Sequence, residues 1–266
     1  MMDHQFGKVF FVGAGPGDPG LITVKGLELI KRGDVIVYDR LVNTELLQYA
    51  KKEAKRIYCG KSPNAPSVSQ EEINEVIVRE AQRGKTVIRL KGGDPAVFGR
   101  VGEEAEYCRN HQIVFEIVPG VTAGTAATAY AGIPLTHREL GSSFAVVAGQ
   151  KRRDGKGKEI NWKGLATAVD TLVFYMGVKN LPYIQEQLLL HGRAADTPVA
   201  LIRWGTCENQ ETIVGSLSDI VERVKEAAFQ SPAIIVVGDV VKLRKKLAWF
   251  EEENHRQTLL KEAIII

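Results

Sequence analysis

The run Thr86-Val87-Ile88-Arg89-Leu90 ends on Lys91 and two adjacent glycines, and this junction constrains the fold more tightly than any other stretch. An apolar, β-branched run bounded by Gly84 and by Gly92-Gly93 reads as a buried strand closing in a sharp turn. Two residues without Cβ let the backbone turn and let a ligand come close to it. Asp94 and Pro95 suit a turn into a helix, predicted over 101–110. In open α/β sheets ligands sit beyond the carboxyl ends of the strands, and this loop lies at such an end. It carries bare backbone, the Asp94 carboxylate, the Arg100 guanidinium and the acid pair Glu103-Glu104. A glycine turn followed by a salt-bridged helix start accounts for the same residues without a ligand, and spacing alone leaves both readings open.

The pattern recurs upstream. Lys8-Val9-Phe10-Phe11-Val12 reads as a first strand, residues 13–20 as a glycine loop, and residues 21–32 as a helix with Leu21, Val24, Leu27 and Ile30 apolar. The order suggests a dinucleotide fingerprint. However, the third glycine position of G-x-G-x-x-G falls on Asp18, whose carboxylate would repel a pyrophosphate, and two prolines stiffen the loop. This argues against NAD or FAD and leaves room for an adenosine-containing ligand without phosphates. Val35-Ile36-Val37-Tyr38 is a second strand ending in Asp39-Arg40. A carboxylate at that end serves to bind a ribose, to take up a proton, or simply to pair with Arg40. A helix over 43–52 follows, then a strand over 56–61 with Lys61 at its tip. Ser69-Gln70-Glu71-Glu72 resembles a capping box that opens a helix ending at Gly84, and residues 114–118 form the next strand. Strands alternating with helices predict an α/β domain with a mostly parallel sheet.

Residues 121–132 are dominated by Ala, Thr and Gly, so a helix there packs its backbone closely against a sheet, another helix or a flat ligand. Ile133-Pro134-Leu135-Thr136-His137-Arg138 stops it and presents His137 and Arg138; with no partner in view, His137 reads as structural. Strands over 144–148, 171–175, 199–204 and 233–237, with helices over 181–190 and 217–228, predict a second α/β unit. Gly177 and Gly205 again follow strands, and residues 242–266 read as a charged, amphipathic tail.

Composition narrows the function classes. A chain of 266 residues accommodates one large domain or two small ones at ~100–200 residues each. A net charge of +3 is far from that of a nucleic-acid binder, and the basic run at 151–158 reads as a solvated loop. Cys59, Cys108 and Cys207 are odd in number, widely spaced and without a C-x-x-C, which argues against a disulfide framework or zinc site and fits a reducing cytosol. There is no signal-peptide pattern, and no apolar run approaches the ~20 residues that span a bilayer.

Four stretches in this order, residues 13–20, Tyr38-Asp39-Arg40-Leu41-Val42, residues 91–104 and residues 120–138, together resemble the tetrapyrrole methylase family. Tyr175-Met176-Gly177, Gly205-Thr206 and Pro232-Ala233 extend the likeness through about residue 240, and the tail lies outside it. The resemblance implies two α/β domains with mixed, mostly parallel sheets, at 1–118 and 119–243 with a tail at 244–266, and an active site in the interdomain cleft. It implies a cytoplasmic homodimer without a metal, using S-adenosylmethionine and releasing S-adenosylhomocysteine. The reaction implied is methylation of uroporphyrinogen III at C2 and C7 to precorrin-2, at the branch to sirohaem and cobalamin. A later precorrin is the alternative acceptor; Gly99-Arg100 with Glu103, and Leu135 to Arg138, favour the first. A nicotinamide-dependent oxidoreductase is the alternative of a different class, opposed by Asp18. With its first strand at Lys8, the chain reads as a free-standing form rather than one fused to a dehydrogenase and ferrochelatase module.

Family cofactor positions carry over onto Pro16, Gly92, Gly93, Asp94, Val97, Thr122, Ala123, Met176, Gly205 and Ala233. Asp39 and Lys61 match the family's proposed proton acceptor and donor, and Arg100 its other candidate for the catalytic residue. Arg100, Glu103 and Arg138 match substrate-binding positions. A guanidinium is effectively never deprotonated, so Arg100 is expected to clamp a carboxylate rather than act as a base.

Overall fold

The computed structural model describes residues 6–60, 68–150 and 159–250, and the chain divides into two compact units, Met1–Ala123 and Gly124–Ile266. In the first, strands β1 (Lys8–Gly13), β2 (Val35–Tyr38), β3 (Lys55–Tyr58), β4 (Val87–Lys91) and β5 (Val114–Val118) lie in the order β3-β2-β4-β1-β5. Every pairing is parallel. Helices α1 (Val24–Arg32), α2 (Gln70–Gln82) and α3 (Val101–Asn110) connect them. Alternation along the strands sends Val12, Ile36, Ile88 and Leu90 to one face, where Ile30 of α1 covers them. Val9, Phe11, Val35, Val37 and Val87 go to the other, against Ile73 and Ile77 of α2 and Val101, Ala105 and Cys108 of α3. Each fully buried branched side chain stabilises this arrangement by roughly 1.5–3 kcal/mol.

The strand order has a direct consequence. The chain leaving β1 must pass β4 to reach β2, and the chain leaving β4 must pass β1 to reach β5. The two connections leave neighbouring strands in opposite directions, and their first residues meet at the carboxyl edge of the sheet, where Gly15 and Gly93 exchange hydrogen bonds.

Helix α1 starts later than the apolar spacing predicts. Asp18 Oδ1 accepts from the Gly20 amide, Pro19–Leu21 forms a 3-10 turn, and Thr23 caps α1 through the Gly26 amide. Val24 then opens the helix pointing outward, 82% exposed. The helix expected at 43–52 is a 3-10 segment, Thr44–Tyr49, capped by Asn43. The capping box at Ser69 and Glu72 forms in both directions.

In the second unit, helix α4 (Ala123–Tyr130) leads into β6 (Phe144–Ala148), α5 (Trp162–Ala168), β7 (Thr171–Tyr175) and α6 (Leu181–Leu190). Then follow β8 (Pro198–Arg203), β9 (Glu211–Ser216), α7 (Ile220–Glu226), β10 (Ala233–Val237) and α8 (Arg244–Leu247). The sheet order is β6-β7-β10-β8-β9; β6 and β7 are parallel, and the pairings of β10 with β7, β10 with β8 and β8 with β9 are antiparallel. The fold is α/β, as the sequence predicts, with one parallel sheet and one mixed sheet in which the antiparallel pairings predominate. Strand β9 and helix α5 go unpredicted because each is at most about half apolar. Of the tail, the described part docks on the end of α4: Trp249 Nε1 donates to Ala129 O, and Arg244 Nη1 to Ala131 O at 2.6 Å. Residues 251–266 and the basic run at 151–158 lie outside the described residues.

At the edge of the first sheet, Glu116 of β5 bridges Lys8, at 2.7 Å, and Lys25. These two ammonium groups hold its carboxyl down to about 2. The unfolded chain takes up the proton near 4.5, so the stability this group contributes is lost as pH falls from about 4.5 to about 2. Glu116→Gln is expected to flatten the pH dependence of thermal unfolding in that window; an unchanged acid limb would show that the bridge contributes nothing measurable.

Candidate active site

At the carboxyl edge of the first sheet three loops meet backbone to backbone. Ala14 N donates to Lys91 O at 2.7 Å, and Gly15 and Gly93 exchange hydrogen bonds, Gly93 N to Gly15 O at 2.7 Å and Gly15 N to Gly93 O at 3.2 Å. A Cβ on Gly13 would stand 2.6 Å from Gly120 Cα, and one on Gly120 would stand 2.8 Å from Gly13 Cα and against the Gly93 carbonyl. The meeting of these loops thus explains the glycines that a dinucleotide motif does not. Pro16, Gly92, Val97, Thr122 and Ala123 are all partly exposed around this junction, and Gly93 at φ +68 lies 3.6 Å by its would-be Cβ from Ala123 N.

Asp94 organises the junction. Its Oδ1 accepts from the Ala96 amide at 2.7 Å and its Oδ2 from the Gly120 amide at 3.0 Å, tying the loop after β4 to the loop after β5. The sequence reading gave this carboxylate to a ligand; in the structure its direct partners are backbone amides. Each oxygen keeps further acceptor capacity for a ligand donor.

Beyond Asp94 the chain coils tightly. Gly99 has no room for a side chain, since a Cβ would lie 2.9 Å from the Pro95 carbonyl carbon. Its neighbours Phe98 and Arg100 are both left-handed, at φ 55 and φ 58. Such conformations cost of order 1–3 kcal/mol each in non-glycine residues and persist where the surroundings enforce them, often at functional sites. The coil sets Arg100 at the mouth of α3, 54% exposed, where Nε and Nη2 grip both Glu103 oxygens at 2.9 and 2.6 Å. Glu103 raises the Arg100 pKa further, which suits a fixed cation and not a base.

Glu103 and Glu104 are not a matched acid pair, contrary to the sequence reading. Glu103 is exposed, whereas Glu104 points inward, with no exposed side-chain surface. Its Oε1 accepts from Arg89 Nε at 3.0 Å and Gln70 Nε2 at 3.2 Å, and its Oε2 from Lys91 Nζ at 2.8 Å. Arg89 in turn gives Nη2 to Asp39 Oδ1 at 2.7 Å. Asp39 therefore pairs with Arg89, two strands' worth of sequence away, and not with its neighbour Arg40. Burial works against the Arg89 charge, but Glu104 and Asp39 together outweigh it and its pKa is raised. Burial and then Arg89 push the Lys91 ammonium down, against the pull of Glu104. This network was missed because the run around Arg89 reads as apolar. The signal was Arg89 and Lys91 at alternate positions of one buried strand, which place two cations on one face.

The three second-unit positions gather on one sheet edge. Met176 follows β7, Gly205 follows β8, and Ala233 opens β10 opposite Arg203, the last residue of β8. Met176, Trp204 and Thr206 are left-handed at φ 56, 48 and 72, and Met176 is 50% exposed. Gly205 packs on α4, where a Cβ would lie 2.9 Å from Ala127 Cα, and the Gly124 amide donates to the Tyr175 hydroxyl. The small residues of α4 thus serve close packing. Arg138 is exposed, and His137 Nδ1 accepts from the nearby Glu139 amide at 3.2 Å. Lys61 lies outside the described residues.

Nucleophilic thiol chemistry has no support among the buried cysteines. Burial raises the Cys59 thiol and pushes Cys108 up to about 12. Among the described residues no group of three or more His, Cys, Asp or Glu is placed to hold a metal, and no helix is long and apolar enough to cross a membrane. The bare-backbone cradle, with a carboxylate and no helix-borne phosphate loop, suits an adenosine-containing ligand without phosphates.

Comparison with known proteins narrows this chemistry. Residues 8–221 match the family described as Tetrapyrrole (Corrin/Porphyrin) Methylases. A uroporphyrinogen-III C-methyltransferase of Priestia megaterium is 60% identical over 235 residues, 88% of this chain and 98% of that protein. The solved structure of uroporphyrin-III C-methyl transferase from Thermus thermophilus, complexed with S-adenyl homocysteine, is similar at 37% identity and TM-score 0.76, covering 89% of this chain and 100% of that one. A cobalt precorrin-4 methyltransferase is similar at 27% identity and TM-score 0.79, over 90% of this chain and 96% of that one.

Proposed function

The chain belongs to the Tetrapyrrole (Corrin/Porphyrin) Methylases, and from that premise we propose that it transfers methyl groups from S-adenosylmethionine to C2 and C7 of uroporphyrinogen III, giving precorrin-2 for sirohaem and cobalamin. The observation that carries the substrate is the 60% identity to a uroporphyrinogen-III C-methyltransferase over nearly that protein's whole length. The precorrin-4 enzyme shares the fold at 27% identity, so fold likeness does not choose between acceptors.

The donor supplies an electrophilic methyl group on a sulfonium. Around it, Gly92, Thr122 and Ala123 offer backbone groups, Gly93 offers bare backbone whose amide is held by Gly15, and Asp94 holds their loops in register. Pro16 and Val97, and in the second unit Met176, Gly205 and Ala233, complete the proposed cofactor set by family likeness; Met176 offers a soft apolar surface. Arg100, steadied by Glu103, and Arg138 orient substrate carboxylates. A pyrrole carbon is already electron-rich, so holding it in line with the methyl group is the main task. Asp39 accepts the proton released afterwards, and Lys61 is the proposed donor.

Anaerobic incubation with uroporphyrinogen III and labelled S-adenosylmethionine, read by mass spectrometry, tests the reaction. A product heavier by two methyl groups is expected. No transfer to uroporphyrinogen III alongside transfer to a later precorrin would move the acceptor. Asp94→Ala is expected to weaken S-adenosylmethionine binding about 10-fold or more, because it frees two loop amides and removes the loop's carboxylate. Unchanged calorimetric affinity would remove Asp94 from the site. We also propose a cytoplasmic homodimer, for which a monomer in sedimentation velocity at micromolar concentration would be the contrary result.

A further inference from the structure

Four charged side chains of the first unit form one chain of contacts: Lys91 to Glu104, Glu104 to Arg89, and Arg89 to Asp39. Lys91, Glu104 and Arg89 are 4%, 0% and 2% exposed; Asp39 alone reaches solvent, at 32%. Helix α2 backs the inner end, since Gln70 Nε2 reaches both Glu104 and, at 3.0 Å, Asn74 Oδ1. Three elements, α2, α3 and β4, therefore converge on a guanidinium whose Nη1 lies 3.5 Å from the Val37 and Leu90 carbonyls and whose Nη2 is presented to one carboxylate.

Stability does not explain this arrangement. Buried ion pairs cost several kcal/mol of desolvation per ion, and well-packed apolar residues often serve as well or better. A single apolar residue on β4 would fill the space between α2 and α3. What an apolar residue would not do is hold Asp39. Arg89 Nη2 takes Oδ1, and among the described residues Oδ2 accepts from no other group. One oxygen is pinned and the other is left open at the carboxyl end of β2. Arg89 cannot swing away, because Nε is held by Glu104 and the side chain is buried.

We propose that Arg89 is a positioning residue for the reaction, fixing the Asp39 carboxylate so that its open oxygen takes the proton the macrocycle loses after methylation. The inference rests on the reading of Asp39 as that proton acceptor. Methylation leaves the macrocycle with one added positive charge; a ring proton passes to Asp39, the ring returns to neutrality, and the carboxylate becomes the neutral acid. Arg89 neither receives nor gives a proton. Glu104 acts one step further back, through Arg89.

The test is a double-mutant cycle on the full chain, with initial rates on uroporphyrinogen III and calorimetric affinity for S-adenosylmethionine. Arg89→Lys keeps a cation but cannot span Asp39 and Glu104 with a planar fork. It is expected to lower kcat about 10-fold or more while changing cofactor affinity and substrate KM less than ~2-fold. In the Asp39→Asn background the same change is expected to lower kcat less than ~2-fold further, because both substitutions remove one function. Glu104→Gln retains Arg89 and is expected to show a milder kcat loss of the same kind, which keeps the test decisive if Arg89→Lys folds poorly. Equal losses from Arg89→Lys with and without Asp39 would overturn the positioning role and leave Asp39 as acceptor. Wild-type kcat in Asp39→Asn would overturn the acceptor reading and the positioning role with it.

Discussion

Gly120→Ala is expected to abolish calorimetrically measurable S-adenosylmethionine binding and to destabilise the first unit by roughly 1–3 kcal/mol, the range for forced overpacking. The added methyl group has nowhere to go. It would meet the Gly93 carbonyl and stand 2.8 Å from Gly13 Cα, and all of these atoms are backbone. Side chains at such a site swing aside, but backbone yields only if a loop moves. Either loop that moves loses a contact that shapes the cradle: the Gly15–Gly93 exchange or the Asp94–Gly120 hydrogen bond. Gly102→Ala supplies the control, because among the described residues no atom beyond its chain neighbours and its own helix backbone lies within 4 Å of its would-be Cβ. Within α3 that change is expected to be neutral or to stabilise by about 1 kcal/mol. Thermal unfolding and titration calorimetry on both variants separate the two cases. Retained affinity in Gly120→Ala would mean that the loop junction is not the cofactor cradle.

Arg100→Lys is expected to leave S-adenosylmethionine affinity within about 2-fold and to lower turnover of uroporphyrinogen III at least ~10-fold, because a lysine offers no planar fork. In the structure two of the three Arg100 guanidinium nitrogens, Nε and Nη2, already engage Glu103, so the guanidinium plane is set before any substrate arrives. A lysine in the same left-handed backbone keeps the charge but loses that plane. Initial rates alongside calorimetry distinguish lost orientation from lost binding. Near-normal precorrin-2 formation would assign Arg100 to the surface pair with Glu103 alone.

The two expectations concern residues of different legibility. Gly120 is visible in the sequence only as a glycine after an apolar run, with Pro119 before it. Its need for bare backbone comes from strand order: β1 and β4 are neighbours whose connections leave in opposite directions, and nothing local in the chain announces that neighbourhood. Arg100 and Glu103, three residues apart at a helix start, were readable as a pair from spacing alone. Glu104 shows the limit of that reading, since its adjacent position on α3 turns it inward to Arg89 and Lys91.

By itself the sequence determined the local elements and the class of fold. Helix α3 and strands β5, β6, β7 and β10 fall where apolar runs, glycines and turn residues place them, because those preferences act within a few residues. It also excluded a dinucleotide loop, through the charge of Asp18. The tertiary structure alone decided that Asp94 ties its own loop to the loop after β5, that Asp39 belongs to Arg89 and not to Arg40, and that Val24 faces outward. Those outcomes depend on groups 26 positions apart in the chain, as for Asp94 with Gly120, or 50 apart, as for Asp39 with Arg89, or on a cap that resets a helix start. A carboxylate's partner is set by which cation burial leaves beside it, and burial is a property of the packed sheet and helices together.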